Sequence, residues 1–357
     1  MLSNLYTIII MAFTQQDTEC MSLALKLSEL GRASVGANPM VGCVITRDDE
    51  IIAQDFHRQY GEGHAEINAL EQINHEAKNT SLYVTLEPCS HHGKTPPCAD
   101  ALIKAGVKKV IIAMLDPNPL VSGGGVKMLQ DANIQVEVGL LEDEASELNR
   151  GFVKRMRTGM PFVTSKIAMS LDGRTAMKNG ESKWITSDAA RKDVHKLRSE
   201  NQAIMTGSGT IINDNPMMTV RLDNFESNPL RVVIDSNNLI TDKSLNIFSS
   251  NADTLVLNSD NSKTLSNGKL DLKSALTKLG EMGVNNLLLE AGSGLNGAML
   301  EACLVDEFII YTAPLILGND ARPMIDISLK TMSEKIELSI IDIRHVGTDI
   351  KIRATLK

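Results

Sequence analysis

The first patterned segment of the chain, residues 17–30, has apolar side chains at the spacing of an amphipathic helix. They fall at positions i, i+3, i+4, i+7 and i+10, namely Cys20, Leu23, Ala24, Leu27 and Leu30. Every second residue from Met21 to Leu27 is apolar as well, so the period alone leaves a strand open. The length of the segment, its helix-forming residues and Gly31 directly after it favour a helix.

Helix-like and strand-like patterns alternate through the rest of the first half. Short apolar runs predict strands at 41–46, 51–57, 81–86, 110–114 and 134–138. Helical spacing predicts helices at 65–73, at 99–105 and near 125–132. Such alternation indicates an α/β domain in which helices cover a sheet.

A domain boundary is expected after the charged stretch 142–157, which has the composition of a helix. The breaker Thr158-Gly159-Met160-Pro161 follows it. We therefore divide the chain into an extension at 1–14, a first domain at 15–158 and a second domain at 159–357.

The second half repeats the alternation with different spacing. Apolar runs predict strands at 162–169, 203–206, 231–234, 254–257, 286–290 and 307–313. Helices are predicted at 188–198, 272–282 and 295–303. The last two apolar segments, 336–345 and 350–356, indicate an antiparallel hairpin, and the Ser, Asn and Asp-rich pieces 236–251 and 258–269 indicate surface loops.

Composition narrows the class of partner. With 36 basic and 44 acidic side chains the chain has a formal net charge of −8, whereas a nucleic-acid-binding domain normally presents a basic face. Its 7 Phe, 4 Tyr and 1 Trp are too few for an aromatic platform that stacks single-stranded bases. We therefore expect no nucleic-acid partner. A local basic pocket for a small anion remains compatible with the overall charge.

Cysteine usage and the N-terminus bear on localisation. Five cysteines without a paired spacing argue against a secreted disulfide framework and favour a reducing cytoplasm. The apolar run 5–13 is too short for a transmembrane helix, which needs about 20 residues, and it lacks the flanks of a signal peptide. We expect no membrane association. Translation starting at Met11 would explain the run as an extension.

Four residues in the first domain form the strongest chemical signal. His64 and Glu66 begin a predicted helix, and Cys89 and Cys98 lie in the segment 85–98 after a predicted strand. One imidazole and two thiolates suit a Zn²⁺ ion that keeps an open position for water, and a nearby carboxylate that does not bind the metal can move protons during hydrolytic deamination. Eight residues separate the two cysteines, against two in the usual zinc-deaminase signature. The alternative is that these residues are unrelated to one another, with Cys89 simply buried, His64 at the surface and Glu66 solvated.

The same segments resemble a known family. His64-Ala65-Glu66 and the stretch Thr85-Leu86-Glu87-Pro88-Cys89, continuing to Cys98, closely resemble the deaminase half of the RibD family of bifunctional riboflavin-biosynthesis enzymes, in which the long loop between the cysteines is normal. The resemblance implies a three-layer, cytidine-deaminase-like fold. It also implies a substrate, 2,5-diamino-6-(5-phosphoribosylamino)pyrimidin-4-one, whose 2-amino group is replaced by oxygen.

The resemblance extends to residues that would contact this substrate. Asn38, in Asn38-Pro39 ahead of a predicted strand, matches a position whose amide contacts the substrate. His57, Lys94 and Asn118 match positions that line the pocket or approach the phosphate. From its sequence context alone, Lys94 in a Gly-Lys-Thr loop could neutralise a phosphate, but it could equally be a solvated lysine.

The second domain contains a glycine-rich turn between a predicted strand and helix. Gly292, Gly294 and Gly297 form the pattern G-x-G-x-x-G, which can cradle a pyrophosphate at a helix N-terminus. Only 60 of the 357 residues follow Gly297, too few for the long βαβ series of a Rossmann fold. A second turn, 206–210, also follows a strand. Each turn could instead be only a tight strand–helix connection.

Here, too, the residues resemble the RibD family. The segments 166–174, 184–187 and 214–216 are similar to its reductase half, which implies a dihydrofolate-reductase-like fold that uses NADPH to reduce C1′ of the sugar to a ribityl chain. The implied NADPH-binding residues are Ala168, Trp184, Thr210, Asp214, Ser236, Gly292, Ser293, Gly294, Leu295, Asn296, Gly297 and Ala298. The implied substrate-binding residues are Ser182, Arg198, Met218, Arg221 and Glu290.

Some of these roles also make chemical sense. Arg198 and Arg221 could form a fork for the 5′-phosphate, because a guanidinium matches phosphate oxygens bidentately. Lys166 and Asp214 are candidates for proton handling and sugar positioning, unless they form a structural ion pair. The family resemblance also leads us to expect a homo-oligomer, a dimer or a tetramer.

Two other classes of protein remain open from the sequence. One is a nucleoside, tRNA or DNA base deaminase with a non-catalytic C-terminal domain, which would need a basic surface or a second domain unable to bind NADPH. The other is a regulatory protein with a degenerate enzyme fold, which the intact set of His64, Glu66, Cys89 and Cys98 argues against.

Overall fold

The computed structural model describes residues 13–91, 96–223, 225 and 227–357. The chain divides between Arg157 and Thr158 into two compact units, each described here by itself. The proposed extension lies almost entirely outside the described residues, and so do the alternative start at Met11 and the loop residue Lys94.

The N-terminal unit has the elements that its pattern predicts. Its helices are α1 (Gln15–Ser28), α2 (Ala65–Gln72), α3 (Cys98–Ala105), α4 (Gly124–Asp131), α5 (Glu142–Leu148) and α6 (Arg150–Thr158). Its strands are β1 (Gly42–Arg47), β2 (Glu50–Phe56), β3 (Ser81–Leu86), β4 (Lys109–Met114) and β5 (Gln135–Val138). The ambiguous first segment is helical, and a capping box between Thr14 and Asp17 fixes its start.

The sheet of this unit has the strand order β2-β1-β3-β4-β5. β1 pairs antiparallel with β2 and β3, while β3, β4 and β5 are parallel. A buried aliphatic core that includes Ile45, Leu82 and Ile112 packs the helices against it. Because β3 and β4 run in the same direction, the segments that follow them emerge at the same edge of the sheet.

The charged stretch 142–157 is helical, as its composition indicates, and forms two helices, α5 and α6. The break lies at Asn149, which is only 3% exposed. Its amide donates to the Met40 carbonyl and accepts from the Met40 backbone amide, each at 2.8 Å. These two bonds fix the junction of α5 and α6 to the backbone of Met40.

The C-terminal unit is built on a larger, mostly parallel sheet. Its helices are α7 (Asp188–Ser199), α8 (Ser208–Asp214), α9 (Leu272–Glu281) and α10 (Ser293–Glu301). Its strands are β6 (Phe162–Ser170), β7 (Arg174–Ala176), β8 (Ala203–Gly207), β9 (Leu230–Asp235), β10 (Thr254–Asn258), β11 (Asn286–Leu289), β12 (Glu307–Ala313), β13 (Arg322–Pro323), β14 (Leu338–Val346) and β15 (Asp349–Leu356). The short elements α8, β7 and β13 have no counterpart in the pattern-based prediction.

Eight strands form the main sheet of this unit in the order β10-β9-β8-β11-β6-β12-β15-β14. The first six are parallel, and the C-terminal hairpin adds β15 and β14 antiparallel. Both faces of the parallel part are buried, which explains its continuous apolar strands. Neighbouring residues such as Ile204 and Met205 belong to different core clusters, one facing α7 and one facing α9 and α10.

The piece 236–251 is only partly the surface loop that its composition indicates. It contains a short 3-10 turn at Asn246–Phe248, and Ile240 and Ile247 are buried in the same cluster as residues of α7. Leu245 and Phe248 pack against the same cluster, so the apolar residues of this mostly polar segment fix it to the core.

Replacing the residue that separates α5 from α6 tests its role. Asn149→Ala leaves both backbone groups of Met40 without their partner, so we expect the free energy of unfolding to fall by about 2–4 kcal/mol. Gln130→Ala, which removes an amide from the exposed side of α4, is the matched control. Urea denaturation followed by hydrogen exchange in peptides from 13–157 measures both. Equal effects of the two substitutions would contradict this role.

Candidate active sites

Three candidate ligands of the N-terminal unit come together at one edge of its sheet. His64 is the N-cap residue of α2, Cys98 is the first residue of α3, and Cys89 lies shortly after β3. The Nδ1 atom of His64 is 3.2 Å from Sγ of Cys98 and 3.6 Å from Sγ of Cys89. All three ligand atoms lie within 4.8 Å of one another.

The backbone near the second cysteine closes the long loop onto the first. The Cys98 amide donates to Sγ of Cys89 at 3.2 Å, and the Ala99 amide donates to the Cys89 carbonyl at 3.2 Å. These amides belong to the start of α3, where no intrahelical acceptor is available to them. The long spacing between the cysteines is therefore compatible with one shared site.

The donor set fits zinc. One imidazole nitrogen and two sulfur atoms around a common point leave a fourth tetrahedral position free, which is the arrangement of catalytic zinc sites. Hydrogen bonding from Cys98 and then from His64 lowers the pKa of Cys89 to about 4 against the opposing effect of burial. A thiol that already favours its thiolate form is prepared to bind a metal.

Glu66 lies in the first turn of α2, two residues after His64. Its side chain is only 3% exposed, and burial raises its pKa to about 7. A carboxyl group with this pKa can both accept and release a proton near neutral pH. Its position and its pKa therefore fit the proton-transfer role that the sequence predicts.

A short hydrogen-bond chain connects two predicted substrate residues to the metal site. Nδ1 of His57 is 3.0 Å from the Gly63 carbonyl, and its Nε2 is 3.0 Å from the side-chain amide of Asn38. The His57 ring meets that of His64 edge-on at 5.4 Å. Because burial lowers the pKa of His57, its imidazole stays neutral and orients Asn38.

Asn118 lies in the segment after β4. Its side-chain oxygen accepts a hydrogen bond from the Leu120 backbone amide at 3.1 Å. Its backbone amide donates to the Asp116 carboxylate at 2.8 Å. These bonds form a tight local turn.

Sequence reasoning missed Glu87, a buried carboxylate that accepts hydrogen bonds from backbone amides. It is 5% exposed and accepts four backbone hydrogen bonds of 2.9–3.2 Å from the segment before α4 and its first turn, donated by Asp116, Gly123, Gly125 and Val126. Glu87 thereby ties the loop that carries Cys89 to the loop that carries Asn118. The only signal in the sequence is an acidic residue at the end of an apolar strand.

In the C-terminal unit, the predicted cofactor residues gather at the carboxyl ends of four adjacent parallel strands. Ala168 lies near the end of β6, Thr210 and Asp214 lie in α8 directly after β8, and Ser236 follows β9. The glycine turn 292–294 follows β11 and leads into α10. Ligands of open α/β sheets bind at this edge, so the strand order alone brings these residues together.

The two glycine turns leave room for a ligand at the backbone. A Cβ atom added at Gly209, Gly292 or Gly294 would meet nothing within 4 Å. The turns are neighbours, since the Leu295 side chain lies 3.7 Å from the Cβ position of Gly207. Open backbone at a helix N-terminus suits the phosphates of a dinucleotide, so these residues fit NADPH.

The second half of the motif faces the protein instead. Asn296 is 1% exposed; its side chain accepts from the Ser165 hydroxyl and donates to the Ala291 carbonyl, both at 2.8 Å. A Cβ atom at Gly297 would lie 2.2 Å from the Asp326 carbonyl oxygen. These two residues pack α10 against its surroundings, and Ala298 continues that helix.

A buried charge cluster lies beside this edge of the sheet. Glu290, directly after β11, accepts two hydrogen bonds from Arg198, at 2.6 and 3.0 Å, and lies 3.6 Å from Nζ of Lys166. Burial alone would raise the pKa of Glu290, but Arg198 and Lys166 lower it to about 2. Glu290 therefore remains a carboxylate and holds both cations.

Arg198, a predicted substrate residue, uses its guanidinium within the protein in this structure. Its fork is already bound to Glu290, and its third nitrogen donates to the Thr219 carbonyl at 2.9 Å. Arg221, the other predicted arginine, is exposed. Lys166 pairs with Glu290 rather than forming the alternative ion pair with Asp214.

The remaining predicted residues lie in segments around α7 and α8. Ser182 and Trp184 belong to the stretch between β7 and α7, where Trp184 is 66% exposed and the Arg191 guanidinium lies 4.4 Å from its ring centroid. Met218 is buried, with a left-handed backbone φ of 52°. Ser236 accepts a hydrogen bond from the Leu270 amide at 3.2 Å.

Comparison with protein families accounts for both units. The model described as "Cytidine and deoxycytidylate deaminase zinc-binding region" matches residues 14–114. The model described as "RibD C-terminal domain" matches residues 161–352, more than half of the chain. The chain belongs to the RibD family.

Full-length relatives agree with this assignment. The riboflavin biosynthesis protein RibD of Escherichia coli is 44% identical over 359 residues, covering 94% of this chain and 98% of the relative. RibD of Haemophilus influenzae is also 44% identical, with 97% and 99% of the two chains covered. The similarity therefore includes both units.

Solved structures show the same fold. RibD of Acinetobacter baumannii superposes with a TM-score of 0.89 at 41% identity, covering 96% of this chain and 99% of the other. A deaminase/reductase from Thermotoga maritima gives a TM-score of 0.87 at 32% identity, covering 96% and 99%.

The expected activities and fold are thereby confirmed: a zinc-binding, cytidine-deaminase-like unit precedes an NADPH-using, dihydrofolate-reductase-like unit in a bifunctional enzyme of riboflavin biosynthesis. Among the described residues, no helix combines the length and the apolar character needed to cross a membrane.

Zinc content tests the ligand assignment. Cys98→Ser removes a thiolate that closes the site, so we expect the purified protein to lose its stoichiometric zinc on dialysis against a weak chelator. Cys303→Ser, which changes an exposed cysteine, should leave the zinc in place. Mass spectrometry of the bound metal, with circular dichroism to verify folding, measures both. Full zinc retention by a folded Cys98→Ser variant would refute the assignment.

Proposed function

We propose that the protein deaminates 2,5-diamino-6-(5-phosphoribosylamino)pyrimidin-4-one in its N-terminal unit and then reduces the ribosyl group of the product in its C-terminal unit. The product is 5-amino-6-(5-phosphoribitylamino)uracil. The observation that carries the proposal is the presence of two chemically different sites, a His/Cys/Cys cluster beside a buried glutamate and a glycine-lined sheet edge beside a buried Lys–Glu–Arg cluster.

In the proposed deamination, His64, Cys89 and Cys98 hold the zinc ion. Zinc in such a site lowers the pKa of a water molecule and so supplies a nucleophile at neutral pH. Glu66 accepts the proton of that nucleophile and passes it to the amino group on C2. The C2–O bond forms, the C2–N bond breaks and ammonia leaves. Asn38, oriented by His57, contacts the pyrimidine, and Asn118 and Lys94 bind toward the phosphate.

In the proposed reduction, Ala168, Trp184, Thr210, Ser236 and the turn 292–294 bind NADPH, which supplies the hydride for C1′. Lys166, held by Glu290, donates a proton to the ring oxygen as the bond between that oxygen and C1′ opens. Asp214 positions the sugar hydroxyls. Ser182 and Met218 line the substrate side, and Arg221 binds the 5′-phosphate.

The two activities should separate on mutation. Glu66→Gln removes the proton carrier, so we expect deamination to fall at least about 100-fold, within the usual contribution of general acid–base catalysis. NADPH oxidation on the deaminated intermediate should remain unchanged. Glu71→Gln, at an exposed position of the same helix, is the matched control. Loss of both activities in folded Glu66→Gln protein would contradict the two-site proposal.

We also propose that the enzyme assembles as a homodimer through the C-terminal hairpin. β14 is an edge strand of the large sheet, and Ile340, Ile341 and Ile343 on it are 53–60% exposed. An apolar edge invites pairing with another strand, and a two-fold axis lets β14 pair with its own copy.

The proposal places the enzyme in the cytoplasm, where the zinc-binding thiols stay reduced.

Sedimentation tests the dimer. Ile343→Asp puts a charge on the proposed interface, so we expect the protein to sediment as a monomer at concentrations where the unmodified protein is a dimer. Ile51→Asp places the same charge on the edge strand β2 of the other unit and should not change the assembly. Dissociation by Ile51→Asp instead of Ile343→Asp would overturn this interface, and sedimentation of the unmodified protein as a monomer would overturn the dimer itself.

A further inference from the structure

Side chains hold the backbone of the segment 217–221, which is neither helix nor strand. Arg231, only 1% exposed, donates to the Met217 carbonyl at 3.2 Å, and Arg198 donates to the Thr219 carbonyl at 2.9 Å. The Val220 amide donates to Asn228 at 2.8 Å. Arg221 is the last residue of this segment, so its position depends on how firmly the segment is held.

His195 contacts the backbone of that arginine. Its Nδ1 atom accepts a hydrogen bond of 3.2 Å from the Arg221 backbone amide. It lies on α7, three residues before Arg198, so one face of this helix presents both side chains to the segment. The helix itself is fixed, because Ala190, Val194 and Leu197 are buried against the sheet.

The acceptor role requires an unprotonated Nδ1, and the surroundings favour it. Burial, followed by the positive charges of Arg198 and Arg221, lowers the pKa of His195 to about 4, although Glu290 and a hydrogen bond with the Thr219 backbone oppose the shift. At neutral pH the imidazole therefore accepts the bond without adding a charge.

The cluster around His195 favours an anionic ligand. Lys166 and Arg198 pair with one buried carboxylate, Glu290, and Arg221 is near enough to interact electrostatically with both Arg198 and Glu290, so the group carries an excess of positive charge. Arg198 is already occupied by Glu290 and Thr219, which leaves Arg221 as the exposed cation. A phosphate dianion is the ligand that such a guanidinium binds best.

We propose that His195 is a positioning residue of the reductase site: by accepting the hydrogen bond of the Arg221 amide, it holds the Arg221 guanidinium where the substrate phosphate binds. This inference rests on the proposed reduction of a phosphorylated substrate. It assigns to His195 no contact with the substrate and no part in hydride transfer. Its effect should therefore appear in substrate binding and should disappear when Arg221 or the phosphate is absent.

Two substitutions separate the hydrogen bond from the bulk of the ring. His195→Leu fills a similar space but has no hydrogen-bond acceptor. In His195→Asn the Oδ1 atom takes the place of Nδ1 along the side chain, so the acceptor is kept. In the full-length enzyme, supplied with the deaminated substrate and NADPH, we expect His195→Leu to raise KM about tenfold with little change in kcat, the loss of roughly one hydrogen bond. His195→Asn should stay within about threefold of the unmodified enzyme.

A double-mutant cycle and a second substrate make the test specific. Because His195 acts through Arg221, His195→Leu should have little further effect in Arg221→Gln protein. It should also have little effect on the dephosphorylated form of the substrate. Fluorescence titration should give an unchanged affinity for NADPH in every variant, which verifies folding of the C-terminal unit.

Other outcomes would overturn the proposal. These are an unchanged KM in His195→Leu, equal changes on the phosphorylated and dephosphorylated substrates, additive effects of the two substitutions, or an Asn variant as impaired as the Leu variant. If His195→Leu does not fold, the comparison of His195→Asn with the unmodified enzyme and with Arg221→Gln decides. Failure of the proposed function is distinguishable, because the unmodified enzyme would then not reduce the deaminated substrate.

Discussion

A buried carboxyl group stays ionised only when neighbouring groups replace the water that it has lost. Three buried glutamates at the two sites differ in how far their neighbours do so. Glu87 is satisfied by four backbone amides and ties two loops together. Glu290 is satisfied by Arg198 and Lys166 and stays ionised. Glu66 has the least compensation, so burial raises its pKa to about 7. The degree of compensation thus separates two structural carboxylates from the one suited to moving protons.

The two units place their reactive groups at the same position in the fold. In both, parallel strands deliver their following segments to one edge of a sheet, and helices begin there. In the first unit the helix starts carry a histidine and a cysteine, which suit a metal ion. In the second unit the turns carry glycines, which suit a dinucleotide. One architectural principle therefore supports hydrolysis in one half and hydride transfer in the other.

The parts of this account that sequence could predict are those encoded locally. The zinc ligands, Glu66 and the strands follow from short motifs and from patterns within about ten residues. The parts that it missed depend on partners far along the chain. Asn149, at the junction of α5 and α6, binds the backbone of Met40, 109 residues away, and the fork of Arg198 binds Glu290, 92 residues away. Glu87 and His195 likewise bind backbone amides of segments distant in sequence, the segment before α4 and Arg221 respectively.

The central claim is that one chain carries out two different reactions at two separate sites, in a fixed order. The most direct test incubates purified protein with the diaminopyrimidine substrate and identifies the products by mass. Without NADPH, the account predicts accumulation of a product in which one amino group has been replaced by oxygen. Addition of NADPH should then convert this product to its ribityl form. A reduced product that keeps the amino group, or no deamination until NADPH is added, would contradict the account.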